Sequence, residues 1–236
     1  MAKKAKARKR KTKCTFCDKE IHNIDIGKAG TNIGNSDSLG NAVMKLYGGK
    51  PIRRHPLSML KGRGYGAQAH HIICSESMDE PDWGRVCKNF GYNINHKNNG
   101  IILPADLRMA CQEHVPLHKG NHSGTVTDIG KLNYVDAVMK KISPVLKKAL
   151  TKKYCDKPEN IITRLNNISK SIWSKLKGFR WTITYDGKHY NGRSKKGCMG
   201  VKGLKKKQAL DASEECPAPG RNHGINIRGT YWEEQS

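Results

Sequence analysis

Carboxylates are scarce in this chain of 236 residues, with 20 Asp plus Glu against 44 Lys plus Arg, and the formal charge is +24. A surface field of that sign repels cations and concentrates polyanions, so nucleic acid is the expected partner. Apolar residues are also few, at 36%, and the mean hydropathy of −0.72 argues against a large dry core. No apolar run approaches the roughly 18 residues of a membrane-spanning helix. The basic N-terminus lacks the apolar stretch of a secretory signal, so export is expected to need other machinery. No internal repeat is visible, and no basic helix with an aromatic face points to a membrane surface. Gly62-Arg63-Gly64-Tyr65-Gly66 lacks the preceding strand and following helix that a nucleotide-binding loop requires.

Histidine supplies the chemistry. His70 and His71 head an apolar run, Ile72-Ile73, that reads as a strand, and Asn99 opens a second one, Ile101 to Leu103. Successive side chains on a strand face opposite ways, so only one of the two adjacent histidines can reach a given ion. His118 and His122 are four residues apart, which predicts a short helix with both rings on one face. Pro116 suits its first position and Gly124 its end, although Gly120 weakens it. Taken singly, a histidine pair is as well explained by packing. Together the groups describe three neutral imidazoles around a metal with an open position, and a fourth histidine free to take a proton from water.

Ala69-His70-His71-Ile72-Ile73, then Tyr92 to Pro104 with Asn98-Asn99-Gly100 at its centre, then Val115-Pro116-Leu117-His118-Lys119-Gly120-Asn121-His122 resemble the AHH family of the HNH/endonuclease VII superfamily. These are the ββα-metal nucleases that recur in bacterial polymorphic and type VI secretion toxins. The likeness runs from about residue 67 to 122. It implies that His71 is the general base, that His70, His118 and His122 bind the metal, and that Asn99 orients the base. The chain departs from the family pattern where Ser123 to Gly130 intervenes before Tyr134, which makes His114 an alternative ligand.

Eight cysteines without a secretory signal suggest thiols or metal ligands before disulfides. Cys14-Thr15-Phe16-Cys17 has the turn spacing of a zinc knuckle, and Cys198 and Cys216 are its expected partners, with His223 as the alternative. Cys74, Cys87 and Cys111 read as buried, inert thiols.

The pattern divides the chain into a basic disordered tail (1–13), a Cys-containing, Gly-rich region (14–66), a nuclease core (67–130), a helical pair packing on it (131–178), and a C-terminal region (179–236). Within the second region Ala42 to Tyr47 predicts a short helix, and Trp83 to Phe90 predicts one between the two strands. Val135 to Leu150 and Ile161 to Leu176 recur at helical spacing, separated by Asp156-Lys157-Pro158, with a kink expected at Pro144. Trp181 to Tyr185 and Lys188 to Tyr190 flank an Asp186-Gly187 turn and predict a hairpin.

The expectation is therefore an α+β protein, a ββα-metal nuclease core set in a helical domain. Its activity would be hydrolysis of DNA with little sequence preference, using Mg, Mn or Zn at the catalytic site and a structural zinc elsewhere. Lys3, Lys4, Arg8, Arg10, Arg63 and Lys119 are the expected phosphate contacts. The resemblance further implies a toxin made in a bacterial cytoplasm, a secretion-system component that delivers it to a target cell, and a cognate immunity protein. An RNase toxin of the same fold, or a non-catalytic zinc protein that binds nucleic acid, are the alternatives.

Overall fold

The computed structural model describes residues 13–19, 22, 30–45, 66–105, 110, 116–119, 121–126, 132–178 and 180–184. Two strands form the centre of the functional region. β1 (Ala67–His71) and β2 (Gly100–Pro104) pair antiparallel, with Ala67 opposite Pro104 and His71 opposite Gly100. Helix α1 (Ser36–Met44), capped by Asn35 accepting from the Ser38 N–H, packs across both strands. A Cβ on Gly100 would sit 2.6 Å from Leu39 Cδ1 and from Val43 Cγ2, so the bare residue lets the helix close on the sheet. With both faces covered, β2 is buried along its length, which explains its unbroken apolar run.

The first strand departs from expectation in one respect. β1 ends at His71, and Ile72 and Ile73 bend away from it instead of extending it. The cause is Asn99, whose amide accepts from the Ile73 N–H at 2.8 Å and donates to the Ile73 carbonyl at 3.0 Å. These bonds replace the ladder that a longer strand would offer, and the two isoleucines turn wholly into the core.

After a 3-10 turn (Ser75–Met78), helix α2 (Pro81–Phe90) begins with proline in its first turn and ends on Gly91. Helix α3 (Tyr134–Leu150) is capped by Asn133 and continues through the exposed Pro144 as one element. A turn then leads into α4 (Glu159–Lys177). Ile142, Val145, Leu146, Leu165, Ile172 and Leu176 join Ile72, Ile73, Met78, Trp83 and Phe90 in one buried cluster. At about 1.5–3 kcal/mol for each large apolar side chain buried, this shared core holds the small sheet against the helical pair.

Two further strands are short: β3 (Thr125–Val126) pairs with β4 (Leu132–Asn133). Val126 also bridges to Trp181, and a Cβ on Gly124 would meet the Thr182 carbonyl oxygen at 2.0 Å. The segment from Trp181 thus runs back against residues 124–126. Its expected hairpin partner, with the Asp186-Gly187 turn, lies outside the described residues, as do residues 1–12 of the tail, Arg63, Cys111, Cys198, Cys216 and His223. Among the described residues no helix is long and apolar enough to cross a membrane.

Candidate active site

β1 delivers its last two side chains to different neighbours, as the alternation of a strand requires. His70 is almost wholly buried and joins His118 and His122, with ring centroids 4.7 and 5.2 Å from its own. One ring nitrogen from each of the three lies within 4.8 Å of the others. His71 stands outside this group and faces Asn95.

The predicted helix carrying His118 and His122 is not formed. Residues 116–119 have no regular structure and 121–122 form a bend, yet the two rings stack at 5.7 Å between centroids and 22° between planes. The His118 N–H donates to the Pro104 carbonyl at 2.9 Å, which fastens the loop to the end of β2. Convergence on His70 therefore comes from tertiary anchoring and not from helical spacing.

The remaining bonds of each ring decide which nitrogen is free. The Tyr134 hydroxyl donates to the Ile72 carbonyl at 2.6 Å, so its oxygen is left to accept from His70 Nε2–H at 3.2 Å. Glu76 Oε1 accepts from His122 Nδ1–H at 2.8 Å. Left without any hydrogen-bond partner are His70 Nδ1, His118 Nδ1 and His122 Nε2, all buried. Each ring thus keeps one buried nitrogen without a partner, and the rings are close enough for one nitrogen of each to share an ion, while the outer bonds to a tyrosine and a carboxylate orient rings as in metal sites generally. The set fits a metal.

Protonation states agree with this reading. Burial, reinforced by the neighbouring His118 and His122, holds His70 well below the usual imidazole range. Burial, then His122 and His71, bring His118 down to about 4, against an opposing pull from Glu76. Both rings are neutral at pH 7, the form that offers a lone pair. Burial opposes ionisation of Glu76, but its own backbone N–H and His122 outweigh that and lower its carboxyl.

His71 is 9% exposed and lowered by burial, partly offset by its bond to Asn95. The Asn95 amide has a determined orientation, because its nitrogen donates to the Ile33 carbonyl at 3.0 Å and its oxygen accepts from the Asn35 N–H at 2.7 Å. That oxygen also meets His71 Nε2 at 2.8 Å, which must therefore carry the proton. A neutral His71 then keeps its lone pair on Nδ1.

Asn99 has a different task from the one expected of it. Its side chain is fully buried, and its four bonds run to Ile73 N–H, Ile73 C=O, Ile94 C=O and Ser169 Oγ, none of them to His71. It ties the two loops beside the strands to α4, while Asn95 contacts the histidine. Asn95 escaped the sequence reading because four asparagines between 93 and 99 are indistinguishable by spacing, and Tyr134 and Glu76 because they meet their histidines from 64 and 46 residues away. His114 lies outside the described residues, and the residues between His122 and Tyr134 do not separate them: their rings are 5.8 Å apart.

A second cluster joins Cys14, Cys17, His22 and Cys155, again with ligand atoms within 4.8 Å of one another. Burial and the neighbouring Cys17 and Cys14 push the Cys155 thiol up to about 12. Burial acts the same way on Cys17, but the Lys19 backbone N–H and the Cys155 and Cys14 thiols lower it on balance. Cys74 and Cys87 are buried thiols pushed up to about 12, mainly by burial, so neither is a reactive group at pH 7.

Around the helical pair, Lys140, Lys147, Lys148, Lys152 and Lys153 are exposed, and a cavity of about 390 Å³ between α3 and α4 is lined by Lys140, Lys141, Lys148 and Arg164. Lys119, beside the metal-type histidines, is also exposed.

A small antiparallel sheet flanked by helices carries the histidine cluster at the end of β1. Residues 59–172, just under half of the chain, match the family model of AHH, a nuclease family of the HNH/ENDO VII superfamily with conserved AHH. No curated protein and no solved structure matches the chain.

Proposed function

We propose that the protein is a metal-dependent endonuclease that hydrolyses DNA with little sequence specificity and serves as an antibacterial toxin. The observation that carries the chemistry is the trio of partnerless nitrogens on His70, His118 and His122 beside a fourth histidine with a determined tautomer. His70, His118 and His122 would hold a divalent ion, Mg, Mn or Zn. When bound, such an ion would supply Lewis-acid chemistry at a scissile phosphate. His71 acts as general base and takes the proton of the attacking water on Nδ1. Asn95 keeps the ring turned and its oxygen stabilises the imidazolium that results. Glu76 and Tyr134 hold two of the metal-binding rings in place.

The charge of +24 supports a polyanionic substrate. Phosphate contacts of this kind give affinity without base readout, which supports low specificity. Lys119 and the exposed lysines of α3 would carry part of that contact. The toxin reading rests on the resemblance to the secreted nuclease toxins. With it come synthesis in a bacterial cytoplasm, delivery to a target cell by a specialised secretion system, and a cognate immunity protein, acidic enough to be steered by this surface.

The test sets wild type beside His71→Ala in plasmid-nicking and RNA-cleavage assays, with and without chelator. Nicking by wild type alone, abolished by chelator, is expected. Cleavage of RNA but not of DNA would overturn the substrate, and equal cleavage by metal-loaded His71→Ala would overturn the mechanism. Expression of the wild type alone in a bacterial cytoplasm tests the toxin role, which harmless accumulation of active enzyme would refute.

A further inference from the structure

We infer that Cys14, Cys17, His22 and Cys155 form a second, closed metal site that takes zinc and fastens the N-terminal segment to the turn between α3 and α4. The inference is independent of the catalytic reading. It puts His22 and Cys155 where the sequence reading expected Cys198 and Cys216, which lie outside the described residues.

Four soft or borderline ligand atoms lie within 4.8 Å of one another, from three thiols and one imidazole, and no carboxylate is among them. Cys17 Sγ is 3.1 Å from His22 Nε2. An ion that bonds nitrogen and sulfur at about 2.0–2.3 Å bridges atoms spaced on this scale, and four such ligands complete the tetrahedron of structural zinc. The Cys14-to-Cys17 turn is shaped for it. The Phe16 N–H points at Cys14 Sγ at 3.4 Å, Asp18 N–H donates to the Cys14 carbonyl, and Asp18 adopts a left-handed φ of 59° to close the loop.

The surroundings hold the cluster in place without filling it. Phe90, the last residue of α2, stacks with Phe16 at 5.9 Å and with His22 at 5.6 Å, and meets Tyr154 edge-on at 6.4 Å. Asn89 exchanges two hydrogen bonds with Thr15. Cys14 and Cys155 are nearly inaccessible, 0% and 8% exposed, and none of Cys14, Cys17 and Cys155 is in a disulfide. An apolar cluster of that composition would bury the sulfurs in contact with carbon alone. Here they converge on each other from segments 138 residues apart in sequence, Cys17 to Cys155.

The site has a second consequence. Lys13, the last residue of the basic tail, directly precedes Cys14. Zinc at this site anchors the root of the tail beside the lysine-bearing end of α3.

The test measures zinc content and cobalt spectra of the full-length chain. A His70→Ala/His118→Ala/His122→Ala protein is expected to keep one tightly held zinc. Substituted with cobalt, it should show a tetrahedral spectrum with thiolate charge transfer of three-sulfur intensity. Cys155→Ser should lower that intensity by about one third and weaken zinc retention. Should Cys155→Ser fail to fold, His22→Cys serves instead, with zinc retained and the intensity rising toward four sulfurs. Unchanged intensity in Cys155→Ser or in His22→Cys would assign the ligands to other residues and overturn the inference. So would a folded protein without zinc whose Cys14, Cys17 and Cys155 all react freely with a thiol reagent.

Discussion

The Nε2–H of His71 donates to Asn95 Oδ1 across 2.8 Å, and the same oxygen accepts the Asn35 N–H, so the amide cannot flip without losing two bonds. Through this pair, residues 31–35 reach the end of β1, which no feature of the histidine motif announces.

Substituting Asn95 should therefore lower turnover and spare the metal. Asn95→Ala is expected to reduce kcat by about tenfold or more, and His71→Ala by roughly 10²–10⁴, the usual contribution of general base catalysis. Single-turnover cleavage rates, with metal content measured on the same samples, check both. An Asn95→Ala protein at wild-type rate would remove the residue from the positioning of His71.

Metal affinity should respond to a different set of residues. His118→Ala and His122→Ala each remove one of three imidazoles, and Tyr134→Phe removes the acceptor that orients His70. Losses around a ligand commonly cost about 10–100-fold in affinity. Calorimetric titration of the three proteins should show weaker binding in all, and unaltered binding in His122→Ala would exclude that ring.

Asn99→Ala should act on the fold. The substitution leaves Ile73 N–H, Ile73 C=O and Ile94 C=O without their partner in the core, for a loss of roughly 2–4 kcal/mol. A lowered melting temperature is expected, with Asn95→Ala melting close to wild type. The reverse order would return Asn99 to the task of orienting the base.

Acid should destabilise the metal-free protein before it destabilises the loaded one. The folded-state values of His70 and His118 are depressed, His118 from 6.5 to about 4, so the unfolded chain binds protons first as pH falls. Stability is whole above about 6.5 and falls progressively as pH is lowered toward 4. Denaturant titrations of chelated protein across that window should show this decline, and a flat profile would mean that the rings are not buried neutral.

Several elements were legible because their signals are local. Helices α3 and α4 follow their apolar periodicity, α2 follows a proline start and a glycine stop, and β2 follows an unbroken apolar run. The facing of His70 toward His118 and His122, and of His71 toward Asn95, follows from strand alternation. Other readings failed where a long-range bond overrode local preference. Ile72 and Ile73 have strand propensity, but Asn99 takes their backbone. His118 and His122 have helical spacing, but the end of β2 holds their loop.

By itself the sequence determined which groups the site could draw on, namely its histidines, one apolar strand after an asparagine and a strong positive charge, because these depend on residue type and short spacing. The tertiary structure decided the partners. Which asparagine faces His71, which tyrosine holds His70 and which cysteine joins Cys14 and Cys17 are all contacts between segments far apart in the chain. Such contacts are selected by the packing of one shared core, and a spacing rule has no access to them.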